Sequence, residues 1–416
     1  MLAAPATAAC AGPLSLARGI VADAPIAAPD KAVPAFSICG ADRLGAWRRR
    51  LGIAGTPRAV AVVIAIGWLP LLVLSALNGT AFDGSSHPFI AEPGPWVRFF
   101  VVVPLLILTE KRADWLLGMV VDSFRRSGIV RGADIPAYDA AVARCVRSAG
   151  SARAELALLL VALAVPFGIL TSLLPLVAGA GGWYGGTADG ARQLSAAGRW
   201  YEFVSLPLVQ FLLLRWFWRL YSWFRFLWRV SRFDLALAPA HADRAGGLGF
   251  VSFGPLAFLP VMVALSSVAS VGIARQILSA GASLADFRVA IVAIAVGEVL
   301  LLVTPHLFFV VAAVRARRQA LLTYGVAEAA MTRAFARDMT GPADAQGAAL
   351  LESQHPSAMI DFASTYQLIQ VMQPLGINSL RQVLVLVGPV LVPFAPLLLF
   401  EHSLSEIFKQ VLSLLR

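Results

Sequence analysis

Residues 200–253 constrain the fold more than any other part of the chain. They begin as an apolar helical pattern, become rich in aromatic residues and arginine, and end at the glycine cluster of HADRAGGLGF. A continuous helix from residue 200 to residue 232 would be about 50 Å long at 1.5 Å per residue, whereas the hydrocarbon core of a bilayer is about 30 Å thick. We therefore expect this helix to cross a membrane and then to leave it or bend along it.

The composition agrees with a membrane protein. Hydrophobic residues make up 58% of the 416 residues and charged residues 14%, and the mean hydropathy is +0.75, whereas soluble domains contain about 25% charged residues. The predicted fold is an all-α polytopic helical bundle with about seven spans. The predicted spans are residues 59–77, 96–109, 155–180, 200 to about 220, 254–274, 289–311 and 383–400.

The distribution of basic residues predicts the orientation. Residues 1–58, 111–154, 225–244 and 314–381 contain seven, eight, four and six of them, whereas the predicted outer loops at 78–95, 181–199 and 275–287 contain none, two and one. The positive-inside rule then places the N-terminus in the cytoplasm. We predict a disordered region rich in alanine and proline at 1–50, followed by a helical membrane domain at 51–416. Its predicted cytoplasmic segments are 111–154, 223–253 and 314–380.

The net charge of +10 is expected to face anionic lipid at the cytoplasmic surface rather than nucleic acid. The bias toward arginine and alanine is typical of GC-rich bacterial genomes, which points to a bacterial inner membrane. No sequence pattern indicates an oligomeric state.

Three ionisable residues lie inside predicted spans: Arg215, Glu298 and His306. A charge at the middle of a bilayer costs several kcal/mol, so such a group normally faces a partner or a cavity. Glu298 and His306 are eight positions apart, about 12 Å along one side of a helix. The functional interpretation is an intramembrane polar site or proton relay. The structural alternatives are an ion pair of Glu298 with Arg215, or a neutral Glu298 bonded to a neighbouring helix.

The densest polar motif is HADRAGGLGF. Its glycines could let backbone N–H groups converge on an anion or a lipid headgroup, and a structural turn at the membrane face is the alternative. The His-x-Asp pair could supply two metal ligands, but no third or fourth is in view, so we predict no metal site. The candidate residues are His241, Asp243, Arg244, Gly246, Gly247 and Gly249.

Arginines also form a stripe on the helix within residues 200–232. They occupy an arc of about 140° at 100° per residue, but they do not recur at every third position through an apolar span. We interpret them as anchors that snorkel to the interface rather than as a voltage sensor. The stripe consists of Arg215, Arg219, Arg225, Arg229 and Arg232.

Several motifs resemble a family of uncharacterised bacterial multi-pass inner-membrane proteins. The matching stretches include GWLPLLVLS, VRFFVVVPLLIL, HADRAGGLGF, IDFASTYQLIQVM and PFAPLLLFEHSLSEIF, and with the arginine-rich helix they cover most of residues 60–412. In the family the glycine motif reads His-Pro-Asp-Arg-Ala-Gly-Gly-Leu-Gly-Phe, and Ala242 replaces the proline here. The resemblance implies a membrane protein of that type and carries no known activity, ligand or catalytic residue.

The preferred functional hypothesis is a transporter-like or channel-like protein that moves a small solute or ion. Pro389, Pro393 and Pro396 interrupt the last span, and broken helices commonly line cavities. The alternative is a membrane scaffold or sensor that acts through its cytoplasmic segments. No catalytic signature or cofactor motif is present, so we do not expect an enzyme.

Overall fold

The computed structural model describes residues 36–40, 45, 50, 52, 56–82, 87–177, 182–188, 191–339, 355–376 and 379–400. Within them the predicted all-α architecture is confirmed, apart from one two-stranded antiparallel hairpin, β1 (Gly185–Ala188) and β2 (Ala191–Leu194). The helices are α1 (Pro57–Leu77), α2 (Pro93–Arg126), α3 (Ile135–Ala149), α4 (Ala152–Val177), α5 (Ala196–Val230), α6 (Phe253–Ala280), α7 (Arg288–Met339), α8 (His355–Gln370) and α9 (Leu380–Leu391).

Six helices of the described residues are long and apolar enough to cross a membrane, namely α1, α2, α5, α6, α7 and the segment formed by α9 and its extension. This agrees with an integral membrane protein of several spans. The predicted span at 155–180 overlaps α4, which is not among the six. The count of seven and the orientation of the N-terminus therefore stay predictions.

Helix α2 differs from the prediction in its length. The sequence predicts a crossing at 96–109 followed by a cytoplasmic segment from residue 111, but one helical element runs from Pro93 to Arg126, with a π-helical turn at Arg98–Val102 and a small break at Thr109. Leu116, Val120 and Phe124 are buried against the bundle. The charged residues after position 109 looked like the end of the span, although the helix continues through them.

Helix α7 is the longest element. Its 52 residues correspond to about 78 Å, so it extends far beyond a hydrocarbon core of about 30 Å. Within the predicted span one face is buried and the opposite face is exposed and apolar. The buried stripe consists of Ala295, Glu298, Leu302, His306, Phe309 and Ala313. The exposed face consists of Val289, Val292, Val296, Leu300, Leu307, Val311 and Val314.

The last span is partly unwound, as its prolines predict. Regular α-helix ends at Leu391, and Val392–Phe400 continues as a 3-10 helix. Helix α6 contacts α2, α7 and α9 and so lies inside the bundle. Its buried serines, Ser266, Ser267 and Ser270, are small enough to let neighbouring helices approach closely.

Candidate functional site

Glu298 lies at the contact between α7 and α6, near the middle of the predicted span at 289–311. Only 8% of the residue is exposed. Its Oε2 atom accepts a hydrogen bond of 2.7 Å from the hydroxyl of Ser266 on α6, whereas Oε1 is buried without a hydrogen-bond partner among the described residues. The carboxyl group is therefore hydrogen-bonded through only one of its two oxygens.

His306 shares the buried stripe of α7 but has different neighbours. It is 5% exposed; neither ring nitrogen has a well-formed hydrogen bond among the described residues, and the polar neighbour of the ring is the backbone of Val303, three residues earlier on α7. Its Cδ2 atom would lie 3.8 Å from a Cβ added to Gly376, a position that is also close to Ala245. His306 therefore faces the turn that follows α8 and the end of the HADRAGGLGF motif.

Arg215 is buried in a different part of the bundle. Its guanidinium lies over the Phe211 ring at 5.8 Å, and its electrostatic neighbours are Arg219 and Cys39. Among the ion pairs of the described residues, none joins Arg215 to Glu298. The structure therefore does not bring the three predicted residues together in one constellation.

Sequence reasoning missed a buried ion pair between α5 and α2. The Nη2 atom of Arg219 lies 3.2 Å from Oε1 of Glu110, and the two side chains are 2% and 7% exposed. The same Nη2 donates to the backbone oxygen of Cys39 at 2.9 Å. The interpretation of Arg219 as a snorkelling anchor is wrong, whereas Arg225 and Arg232 are exposed as that interpretation requires. The available signal was a glutamate directly after one predicted span and an arginine at the end of another.

The segment at 37–40 is held next to this ion pair. Asp114 accepts hydrogen bonds from the Ser37 hydroxyl at 2.6 Å and from the backbone N–H groups of Ile38 and Cys39 at 2.9 and 3.0 Å. Ile38 is fully buried. These four residues fall inside the region at 1–50 that we predict as disordered, most of which lies outside the described residues. Here the chain has defined contacts with α2 and α5.

In the HADRAGGLGF loop, backbone N–H groups do converge on an anion, and that anion is a side chain of the loop. The carboxylate of Asp243 accepts from the N–H groups of Ala245, Gly247 and Gly249 at 2.8, 3.1 and 2.8 Å. Burial would raise the pKa of Asp243, but these hydrogen bonds and the one from His241 outweigh burial and hold the pKa below its usual range. This geometry favours the structural turn over a site for an external anion.

Backbone conformation explains the glycines of this loop. Gly246 and Gly247 have φ angles of +69° and +91°, and Arg244 itself has a φ of +55°, a region that L-residues seldom adopt. A Cβ added to Gly246 would lie 2.7 Å from the terminal methyl of Met372. The backbone oxygen of Arg244 accepts from the N–H of Gln373 at 2.7 Å. The loop therefore carries the turn that lies against His306.

A second missed carboxyl group lies on a π-helical turn of α5, Tyr201–Ser205. Glu202 is 4% exposed, accepts a hydrogen bond from the Tyr184 hydroxyl, and has its Oε2 buried without a partner among the described residues. The neighbouring Tyr201 hydroxyl accepts from Arg98 at 2.5 Å, and Arg98 begins the π-helical turn of α2. Turns of this kind are frequent at functional sites.

No group of three or more His, Cys, Asp or Glu side chains able to hold a metal ion occurs within the part of the chain that the structure describes. In comparisons with known proteins, no family model, no curated protein and no solved structure matches the chain.

Proposed function

We propose that the protein is a transporter-like or channel-like protein of the bacterial inner membrane, with Glu298 as the titratable group of its intramembrane site. The observation that carries the proposal is the half-satisfied carboxyl group of Glu298, bonded to Ser266 on one side only. Ionisable residues inside a bundle commonly mark ion pathways and proton relays, because burying them is costly unless a partner or a cavity compensates the charge.

His306 supplies a second station of the proposed site. It lies about two helical turns from Glu298 on the same buried stripe, toward the end of the bundle that carries the HADRAGGLGF loop. Its buried ring has the backbone of Val303 as a polar neighbour, and an imidazole can still carry a proton at the nitrogen that this backbone does not engage. Arg215 is not part of this proposal, because its side chain belongs to the region around Arg219.

Proton flux into proteoliposomes tests the assignment. The full-length chain is reconstituted with a pH-sensitive dye inside, a potassium diffusion potential is applied, and the rate of acidification is recorded. We expect flux in the wild type and a loss of about tenfold or more in Glu298→Gln, which keeps the shape of the side chain but cannot exchange a proton at neutral pH. Ser266→Ala should change the pH dependence of the flux, because it removes the bond that favours the ionised carboxylate.

A matched control is Glu328→Gln, on the same helix but beyond the predicted span. It should leave flux unchanged. If Glu298→Gln and the wild type acidify the vesicles at equal rates, the assignment of Glu298 fails. If the wild type shows no flux above that of empty vesicles, proton movement is removed from the proposal.

A second candidate is a membrane scaffold or sensor that works through its predicted cytoplasmic segments. Leu322 and Val326 on α7 and Ile360 on α8 are 66%, 72% and 66% exposed, and they lie beyond the predicted spans, where lipid does not cover them. Cross-linking in native membranes tests this candidate. Changing Leu322 and Val326 together to glutamate should remove a cross-linked partner, and an unchanged pattern would contradict the scaffold.

A further inference from the structure

A cavity of about 750 Å³ opens at the end of the bundle that carries the HADRAGGLGF loop, between residues 228–239 and α7. Its volume falls in the range of sites that bind small molecules, about 300 to 1,000 Å³. Glu298 and His306 do not line it. It is therefore separate from the proposed intramembrane site.

The charge of this cavity is positive. Arg131, Arg232 and Arg315 line it, together with one acidic residue, Asp234, so three positive charges and one negative charge leave a net charge of +2. Asp234 pairs with Arg131 at 3.2 Å. Among the described residues, neither Arg232 nor Arg315 has a carboxylate within ion-pair distance.

The guanidinium of Arg232 is supported by an aromatic ring. It lies 5.0 Å above the centre of the Trp228 ring, which stiffens the arginine while its N–H groups stay available. Arginine presents a planar fork of donors that matches a phosphate group. The cavity is therefore lined by two arginines, Arg232 and Arg315, that have no acidic partner among the described residues and can donate to anionic oxygens.

On α7, the part of the cavity nearest the predicted span is apolar and joins the exposed apolar face of that helix. Phe308, Val311 and Ala312 line it, and Val311 is 66% exposed. Arg315 follows one turn later, at the point where the apolar run of the predicted span ends. A lipid in the cavity would thus have its acyl chain beside the apolar residues and its phosphate beside Arg315, which is the order of these groups across a bilayer leaflet.

We propose that this cavity binds an anionic glycerophospholipid of the surrounding bilayer. Its phosphate is held by Arg232 and Arg315, and an acyl chain lies along Val311 and Ala312. Trp228 sits at the headgroup level, where tryptophan is enriched in membrane proteins. This site does not depend on the proposal for Glu298, since a variant with no flux would still bind the lipid.

Native mass spectrometry of the full-length protein in detergent tests the proposal. The protein is titrated with dioleoyl-phosphatidylglycerol and, separately, with dioleoyl-phosphatidylcholine. We expect preferential retention of phosphatidylglycerol, and an apparent affinity lowered by roughly tenfold or more when Arg232→Gln and Arg315→Gln are combined. Arg318→Gln is the matched control, because Arg318 is exposed on the same helix but does not line the cavity.

Two further arms separate this site from general surface charge. Ala312→Trp should fill the cavity and reduce lipid retention while leaving every arginine in place. Inorganic phosphate and glycerol 3-phosphate should compete poorly, because they lack acyl chains. The proposal is overturned if the double variant binds as the wild type does, if Arg318→Gln loses as much affinity as the double variant, if Ala312→Trp has no effect, or if free phosphate competes as well as the lipid.

Discussion

At the scale of single residues, the ion pair of Glu110 and Arg219 is the most demanding feature of the bundle. Both side chains are almost completely buried, and burial of a charge is tolerated only when an opposite charge and further hydrogen bonds compensate it. Arg219 also holds the backbone of Cys39. The pair therefore joins α2, α5 and the chain segment at 37–40.

Removing one partner should be far more damaging than removing both. Arg219→Gln leaves the charge of Glu110 buried, and we expect a loss of about 3 to 5 kcal/mol in the free energy of unfolding. Adding Glu110→Gln should recover part of that loss. Unfolding in mixed micelles with increasing dodecyl sulfate measures both variants. Arg225→Gln is the control, because Arg225 is exposed on the same helix, and its free energy of unfolding should stay within about 0.5 kcal/mol of the wild type. Strictly additive effects of the changes at Glu110 and Arg219 would contradict the pairing.

Asp243 makes the stability of the HADRAGGLGF loop depend on pH. Its pKa is lower in the folded protein than in the unfolded chain, so its contribution is complete above the unfolded value of about 3.9 and is lost as the pH falls through the folded value. Between about pH 5 and pH 3, the thermal midpoint of the wild type should fall more steeply than that of Asp243→Asn. Equal slopes for the two proteins would show that the carboxylate does not hold the loop.

At the scale of elements, close helix packing depends on single glycines. A Cβ added to Gly67 of α1 would lie 2.2 Å from the ring of Phe99, on the π-helical turn of α2. Neither the ring nor the backbone can move away without disturbing the core, because Phe99 is fully buried. This contact fixes α1 against α2.

Gly67→Ala should therefore destabilise the protein by about 1 to 3 kcal/mol through overpacking, measured as a lower thermal midpoint in detergent. Gly297→Ala is the control, since nothing lies within 4 Å of a Cβ at that position of α7, and it should be neutral or slightly stabilising. Combining Gly67→Ala with Phe99→Leu should restore part of the midpoint. A neutral Gly67→Ala would mean that α1 does not pack closely on α2.

The elements that sequence reasoning predicted are those with a strong periodic signal. The apolar runs became helices, the buried stripe of α7 carries both Glu298 and His306, and the prolines after Gly388 mark the unwound end of the last span. The continuation of α2 past Thr109 was missed because the charge of Glu110 is compensated by a residue 109 positions away, which no local pattern records. The hydrogen bonds to the Asp243 carboxylate were likewise missed, because they depend on the conformation of the loop, which no local pattern records.

At the scale of the whole molecule, the contacts between loops indicate which loops lie at the same end of the helix bundle. At one end, Arg131 pairs with Asp234, and the backbone N–H of Gln373 donates to the backbone oxygen of Arg244 at 2.7 Å. The three predicted cytoplasmic segments, 111–154, 223–253 and 314–380, therefore meet at this end. It also carries the segment at 37–40, which contacts Asp114.

The remaining loops between helices lie at the other end of the bundle. The backbone N–H of Trp183, next to the β-hairpin, donates to the oxygen of His87 at 3.3 Å, and Ile273 and Leu284 form a cluster with Phe394 and Leu397. Helix α4 begins just after Ser148, which contacts Ser222 at the first end. After α4, the described residues resume at 182, which lies at the second end. This connectivity agrees with the predicted span at 155–180, which stays a prediction.

The same contacts predict the side on which the last span ends. Phe394 and Leu397 lie with residues 273–284, at the end opposite to the arginine-rich segments, so residue 400 should lie outside the cytoplasm if the N-terminus is inside. Reporter fusions after residues 130, 245 and 340 should give cytoplasmic signals, and fusions after residues 90, 190, 280 and 400 should give periplasmic ones. A periplasmic signal at 130 or 245 would reverse the orientation, because these positions carry the charge that the positive-inside rule depends on. Signals of the same side at 150 and 190 would show that α4 does not cross, and the bundle would then have an even number of spans.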